Sequence, residues 1–202
     1  MIEDCDCSST IARSTRHRGF PIGVQEPLWL FDDNLTLKAH PMYHKAKSGV
    51  KEAAVGLISD LAVDFVVTIK DKLPNNAIFV APHAREAMGD NAIPQVFAAV
   101  CAMVVQGEVD TDIVQVTRVF HTGADPMERM RLRPEFDGSV TKGANYVLVD
   151  DVMNKTISSV SERLTRSEID SLRRGKKQLS DYAQKELSER VKAALQSVAK
   201  KG

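Results

Sequence analysis

Two adjacent carboxylates, Asp150 and Asp151, are the residues whose types and spacing most directly suggest chemistry. They follow an apolar run, residues 146–149, that is typical of a buried strand. Open α/β folds bind ligands at the carboxyl ends of their parallel strands, so this arrangement would bring negative charge to a ligand site. Such a site suits a polyhydroxylated ligand that carries a metal ion. The alternative is that one carboxylate caps a following helix and the other is solvated.

The elements that must position these carboxylates are indicated by hydrophobic patterning. Residues 77–82 form a second short apolar run, and residues 91–106 predict an apolar helix with Pro94 in its first turn. Residues 112–116 predict another strand before the run at 146–149. Strands that are apolar on both faces and separated by a helix predict an α/β fold, with a Rossmann-like parallel sheet covered by helices.

The flanking segments have different patterns. Residues 28–37 predict two short strands around a polar reversal, and residues 49–70 predict a helix. After residue 159 we expect only helices, because the apolar residues keep to helical spacing and residues 165–168 fit a capping box. Gly175 could divide this helical extension in two.

Charge is distributed unevenly along the 202 residues, whose net charge is zero. Residues 1–152 carry 15 Lys and Arg against 21 Asp and Glu, whereas residues 153–202 carry 12 against 6. Such asymmetry predicts segments with different roles or origins. We therefore expect a flexible arm at 1–23, a main domain at 24–152 and a basic amphipathic helical tail at 153–202.

Targeting signals and covalent cross-links are not expected. The first residues are acidic and polar, unlike a secretory signal. The longest apolar stretch, residues 96–105, has 10 residues, about half of what a membrane helix needs. The three cysteines are an odd number and are interpreted as reduced thiols. These features predict a soluble, cytoplasmic protein without a membrane span.

The stretch at 146–153 resembles the diagnostic site of type I phosphoribosyltransferases, in which four apolar residues precede two acidic residues and a phosphate loop. The strand at 78–82 followed by residues 83–91 is similar to the pyrophosphate loop of that family, which leads into a helix. Residues 118–140 resemble its mobile catalytic loop. The resemblance covers residues 77–153 well and residues 24–76 loosely, and it does not include the tail.

This resemblance implies a transferase that binds phosphoribosyl pyrophosphate with Mg²⁺, passes the phosphoribosyl group to a nitrogenous base and releases pyrophosphate, as in nucleotide salvage. Asp150 and Asp151 would be the catalytic and metal-binding residues, facing the ribose hydroxyls directly or through Mg²⁺. The catalytic loop would contribute Arg129 and Arg131. The residues that would bind substrate are His83, Ala84, Arg85 and Glu86 in the pyrophosphate loop and Val152, Met153, Asn154, Lys155, Thr156 and Ser158 in the phosphate loop.

The phosphate loop departs from the family pattern, because residues 154–159 lack both of its glycines. Glycine permits positive φ and close approach of the backbone to phosphate, whereas Thr156 and Ile157 are poor substitutes. The family fold also requires a helix and at least one more strand after this loop, whereas residues 160–202 are expected to form only helices, so the family core is expected to be incomplete here. Alternatives are a catalytically impaired phosphoribosyl pyrophosphate-binding or regulatory protein, or a helix-mediated interaction module. We expect a homo-oligomer, such as a dimer, and no nucleic-acid partner, and the sequence does not indicate which base is the acceptor.

Overall fold

The chain forms a mixed α/β structure with a small parallel sheet and a long C-terminal helix. A computed structural model describes residues 27–31, 35–81, 85–86, 89–120, 135–151 and 159–200. The helices are α1 (Leu35–Ala39), α2 (Tyr43–Lys47), α3 (Lys51–Leu61), α4 (Val63–Thr68), α5 (Ile93–Val105) and α6 (Arg166–Ala199), with a short 3₁₀ helix at Lys70–Lys72. The strands are β1 (Ile78–Val80), β2 (Arg85–Glu86), β3 (Gly89–Asp90), β4 (Glu108–Val109), β5 (Val114–Gln115), β6 (Thr117–Phe120), β7 (Phe136–Asp137), β8 (Tyr146–Leu148) and β9 (Ser159–Arg163).

The parallel sheet has three strands in the order β4, β1, β8. Its central strand β1 pairs in parallel with β8, Phe79 lying opposite Val147. These are the two apolar runs at 77–82 and 146–149, so their prediction as strands of a parallel sheet is confirmed. The burial expected of the second run is wrong for β8, because it is an edge strand of the described sheet and its Leu148 is 71% exposed. Phe79 is fully buried, and Val147 packs against the main core.

The predicted strand at 112–116 is wrong as a member of this sheet. Its central residues form β5, which pairs antiparallel with β7. The third parallel strand is instead β4, which has only two residues. It follows α5 closely because Gln106 turns the chain in the left-handed conformation, with φ 55°, and Glu108 N then donates to Ala77 O at 2.9 Å. A strand this short and half-polar leaves no hydrophobic run to detect.

The predicted helix at 91–106 is confirmed as α5. The side chain of Asn91 accepts a hydrogen bond from Ile93 N at 3.2 Å, which satisfies one backbone donor at the start of the helix. Pro94 lies in the first turn, where its missing N–H costs nothing. Most residues of α5 are buried, and they lie on all faces of the helix, so α5 runs through the centre of the molecule.

The predicted hairpin at 28–37 is wrong. Residues 35–39 form α1, and residues 28–31 belong to no strand. The apolar alternation that suggested a strand was only three residues long, and of those residues only Leu37 is buried. The helical prediction for 49–70 is confirmed in outline, as α3 and α4 separated at Ala62.

In its described residues, 159–200, the C-terminal segment contains one strand and one continuous helix. Strand β9 pairs antiparallel with β6, so the expectation of helices alone after residue 159 is wrong. The capping box is confirmed, because Thr165 N donates to Glu168 Oε2 at 2.9 Å and Glu168 N donates back to Thr165 Oγ1. Gly175 does not divide α6, since the packed face continues through Lys176 and Leu179. Among the described residues no helix has the length and apolar character needed to cross a membrane.

Helix α6 contributes to both hydrophobic clusters of the described structure. Near its start, Ile169 and Leu172 pack with Val114, Val116 and Leu164. The rest of its apolar stripe joins the main core around α3, α4 and α5, through Leu179, Ala183, Leu187, Val191 and Ala194. The basic, C-terminal helix is thus packed against the sheet-bearing part of the chain.

A buried ion pair fixes α6 beside the parallel sheet. Lys176 Nζ lies 3.2 Å from Asp110 Oδ1 and donates to Ile113 O at 2.8 Å, with a side chain that is 0% exposed. Burial lowers the pKa of Lys176, and the Asp110 carboxylate opposes that change. Asp110 directly follows β4, so the pair joins the end of a parallel strand to the helix. Removing one partner of such a pair leaves a charge buried without compensation.

We expect Lys176→Met to lower the free energy of unfolding by about 3–5 kcal/mol, because methionine keeps the apolar stem but leaves Asp110 uncompensated. Lys177→Met is the matched control: Lys177 is exposed and pairs with Asp181 at 3.7 Å. The control substitution should lower the free energy of unfolding by no more than about 0.5 kcal/mol. Urea unfolding measures both variants, and equal losses would contradict the role of the buried pair.

Candidate functional site

The two carboxylates stand at the carboxyl end of the parallel sheet. Val149 N donates to Val80 O at 2.8 Å, which extends the pairing of β1 and β8 by one rung. The Val149 side chain is buried in the main core, and the chain leaves the sheet immediately afterwards at Asp150. The strand therefore places both acids at the edge where parallel sheets bind their ligands.

The acids line a shallow cavity of about 80 Å³. Apart from these two side chains its walls are apolar, and they come from the N-terminal segment, α1, α3 and α5: Leu28, Leu30, Phe31, Leu37, Ile58, Ala62, Ile93 and Phe97. A volume of this size holds several water molecules but is smaller than the roughly 300–1,000 Å³ of typical small-molecule pockets. Only part of a larger ligand would fit within it.

Asp151 is nearly buried and is paired with a lysine. Its side chain is 3% exposed, and Lys47 Nζ lies 3.1 Å from Oδ2 and 3.5 Å from Oδ1. The lysine side chain is 20% exposed, so the ammonium lies between solvent and the carboxylate. The pair keeps a buried negative charge compensated, as burial requires.

Asp150 is exposed at the edge of the same cavity, and its pKa is raised. Although much of the residue faces solvent, the protein around its carboxyl group reduces hydration, and this is the largest cause of a pKa raised to about 6. Repulsion from the Asp151 charge is the second cause. Asp151 N donates to Asp150 Oδ1 at 2.8 Å, which opposes the rise. Asp150 therefore keeps its proton to a higher pH than an ordinary aspartate does.

Lys47 is held at the site by the backbone around it. It is the last residue of α2, and the carbonyl of the preceding Ala46 accepts a hydrogen bond from Ala92 N at 3.2 Å. Gly49 and Gly89 have positive φ of 95° and 126°, and a Cβ on Gly89 would lie 2.6 Å from the Ser48 carbonyl oxygen. The loop after α2 thus lies directly against β3, next to the start of α5.

Few of the other predicted site residues can be placed. Arg85 and Glu86 form β2, which pairs antiparallel with β3 just before α5. This agrees with a loop between β1 and α5, and it says nothing about their side chains. The other predicted residues lie outside the described part of the chain: His83, Ala84, Arg129, Arg131, Val152, Met153, Asn154, Lys155, Thr156 and Ser158.

Two polar residues of this region were missed by sequence reasoning. Lys47 is 104 residues from Asp151 in sequence, so no local spacing could connect them. Gln95 is 0% exposed on α5, and neither its amide nitrogen nor its amide oxygen has a hydrogen-bond partner in the described structure. A glutamine within an otherwise apolar helix was the available signal for the second residue.

Comparison with known proteins identifies two partial relatives. An uncharacterized protein of Haemophilus influenzae (strain Rd) is 36% identical over 135 residues, which cover 65% of this chain and 30% of the relative. Protein TraN of Escherichia coli is 39% identical over 129 residues, which cover 62% of this chain and 29% of that protein. The similarity thus spans under a third of each relative. No protein-family model and no solved structure matches the chain.

The raised pKa of Asp150 predicts a pH-dependent effect of Asp150→Asn on stability. The folded pKa of about 6 exceeds the unfolded value of about 3.9, so ionisation of Asp150 destabilises the fold as pH rises through 6. Asparagine cannot ionise but can still accept the hydrogen bond from Asp151 N. The variant should melt higher than wild type at pH 8 and should lose most of that advantage below pH 4. Because Asp150 is exposed, we expect the substitution to raise the free energy of unfolding at pH 8 by under about 1 kcal/mol. This corresponds to a rise in melting temperature of up to roughly 3 °C.

Thermal unfolding between pH 4 and 8 measures this effect. Asp71→Asn, which removes an exposed carboxylate that does not line the cavity, is the control and should show no comparable pH trend. An Asp150 variant that is no more stable than wild type at pH 8 would contradict the electrostatic description of the site.

Proposed function

We propose that the chain binds the Mg²⁺ complex of phosphoribosyl pyrophosphate at Asp150 and Asp151 and transfers the phosphoribosyl group to a nitrogenous base. The observation that carries the proposal is the position of two adjacent carboxylates at the carboxyl end of a parallel strand, directly after the buried Val149. We further propose that β1, α5, β4 and β8 belong to an incomplete Rossmann-like core of the type I phosphoribosyltransferase kind. The neighbouring helix start supports this arrangement, because Ile93 lines the same cavity.

The donor set fits Mg²⁺. The described residues contain no cluster of three or more His, Cys, Asp or Glu side chains that could hold a metal ion on their own. Mg²⁺ usually binds one or two carboxylates and takes its remaining ligands from water and substrate phosphates. The Asp150 carboxyl, whose pKa is raised by burial and by the Asp151 charge beside it, would gain from an added cation. When bound, Mg²⁺ would supply positive charge to the pyrophosphate group.

The carboxylates would act on the ribose. They would accept hydrogen bonds from its hydroxyl groups or hold them through the ion, and their charge would stabilise positive charge at the anomeric carbon. The lone pair of the acceptor nitrogen forms the new bond there, while the bond to pyrophosphate breaks and its electrons leave with the pyrophosphate oxygen. A nitrogen that carried a proton releases it to solvent. The apolar walls of the cavity would limit the access of water to this carbon.

We expect calorimetry to detect weak binding of Mg²⁺–phosphoribosyl pyrophosphate to the intact chain, because the phosphate loop lacks its glycines. The double variant Asp150→Asn, Asp151→Asn should lose at least about 100-fold in affinity, since each charge-assisted contact contributes about 1.5–3 kcal/mol. Asp150→Asn alone should also weaken binding, and it leaves the buried Lys47–Asp151 pair intact. Asp71→Asn should bind as wild type does.

Equal heats for wild type and both site variants would refute the assignment of the site. Release of pyrophosphate in the presence of a panel of purine and pyrimidine bases then tests transfer. Binding without release would favour the second candidate, a phosphoribosyl pyrophosphate-binding or regulatory protein without turnover. The observation that favours this candidate is the same loss of loop glycines, which weakens the hold on the phosphate.

A further inference from the structure

The Lys47–Asp151 ion pair occupies atoms that the proposed ligand requires. The ammonium lies within 3.5 Å of both carboxylate oxygens of Asp151. Since the Asp151 side chain is only 3% exposed, a cation can hardly reach these oxygens while the lysine remains there. Two positive charges a few ångströms apart also repel each other strongly where water is scarce. A divalent ion and the Lys47 ammonium therefore compete for Asp151.

The lysine side chain can move without the rest of its element. Its backbone is tied to the start of α5 through Ala46, and the adjacent loop is packed against β3. The side chain itself is 20% exposed and has four rotatable bonds beyond the backbone. The side chain can therefore adopt other rotamers while the backbone of α2 stays in place.

The chain around Lys47 carries several basic side chains, of which His40 and Lys51 are partnered by Asp60 and Glu52. Residues 35–51 contain four lysines and two histidines but no Asp or Glu, and this segment also contributes Leu37 to the cavity wall. Clustered positive charge raises the local concentration of anionic ligands. An ammonium that leaves Asp151 would therefore find its new partner in a phosphate group that arrives with the metal ion.

We propose that Lys47 is an exchangeable counter-cation, which neutralises Asp151 in the free protein and moves to a phosphate oxygen of the ligand when a divalent cation takes its place. This inference rests on the proposed function and identifies the residue that couples metal binding to phosphate binding. Lys47 is a binding residue in this scheme, and no bond of the substrate is made or broken by it.

Lys47→Met tests the exchange, because methionine keeps an apolar stem and removes the charge. Without the competing ammonium, Mn²⁺ alone should bind about tenfold more tightly, as measured by the electron paramagnetic resonance signal of the free ion. Mg²⁺-dependent binding of phosphoribosyl pyrophosphate should weaken about tenfold or more in calorimetry. Lys45→Met, on the exposed side of the same helix, is the matched control and should change neither affinity more than about twofold.

The two opposite changes separate exchange from a purely structural role. If Lys47→Met leaves Mn²⁺ binding unchanged or weakens it, or if no Mn²⁺ binds to either protein, the exchange is refuted. If wild type binds Mg²⁺–phosphoribosyl pyrophosphate and Lys47→Met binds it equally well, this inference fails while the proposed function stands. If wild type gives no heat with that ligand, the proposed function fails, and the Mn²⁺ titration still reports on the ion pair.

Amine labelling of the wild-type protein provides a measurement that does not depend on the folding of a variant. Acetic anhydride followed by mass spectrometry reports the reactivity of Lys47 relative to Lys45. Lys47 should react slowly in the free protein, faster with Mn²⁺ alone, and slowly again with Mg²⁺–phosphoribosyl pyrophosphate. Reactivity that Mn²⁺ does not change would overturn the proposal.

Discussion

The parallel pairing of β8 with β1 is the constraint on which the site depends. The hydrogen bond from Val149 N to Val80 O is the last one between these two strands before Asp150. A shift of register by one residue would turn Val147 and Val149 away from the core. Packing of apolar side chains thus determines where the carboxylates stand, although those side chains take no part in ligand chemistry.

The parts of the fold that sequence patterns predicted are those with long or wholly apolar runs. Strand β1 and helix α5 are largely buried, so their composition alone indicates them, whereas β8 is a more exposed edge strand that its apolar run still indicated. Strand β4 has two residues and β9 is mostly polar, and their pairing partners are distant in sequence. Such strands form because a neighbouring backbone offers hydrogen bonds, which a hydrophobic pattern cannot record. At residues 35–39 the pattern instead predicted a strand where the chain forms helix α1, because a brief alternation of apolar residues is also compatible with a helix.

The candidate site was predictable only in its acidic half. Asp150 and Asp151 are adjacent and follow a recognisable strand, so local sequence places them at the sheet edge. Lys47 reaches Asp151 because the end of α2 is joined to the residue before α5 by the hydrogen bond from Ala92 N to Ala46 O, a tertiary contact between distant segments. The altered acidity of Asp150 likewise arises from surrounding atoms and from the Asp151 charge. Chemistry that depends on such contacts becomes visible only in three dimensions.

The central claim is that these two acids hold a divalent ion together with a sugar diphosphate. The most direct test is anomalous diffraction from crystals grown with Mn²⁺ and phosphoribosyl pyrophosphate. The account predicts a manganese peak about 2.0–2.3 Å from a carboxylate oxygen of Asp150 or Asp151, with the Lys47 ammonium no longer on Asp151. Manganese bound elsewhere, with the Lys47–Asp151 pair intact, would contradict it.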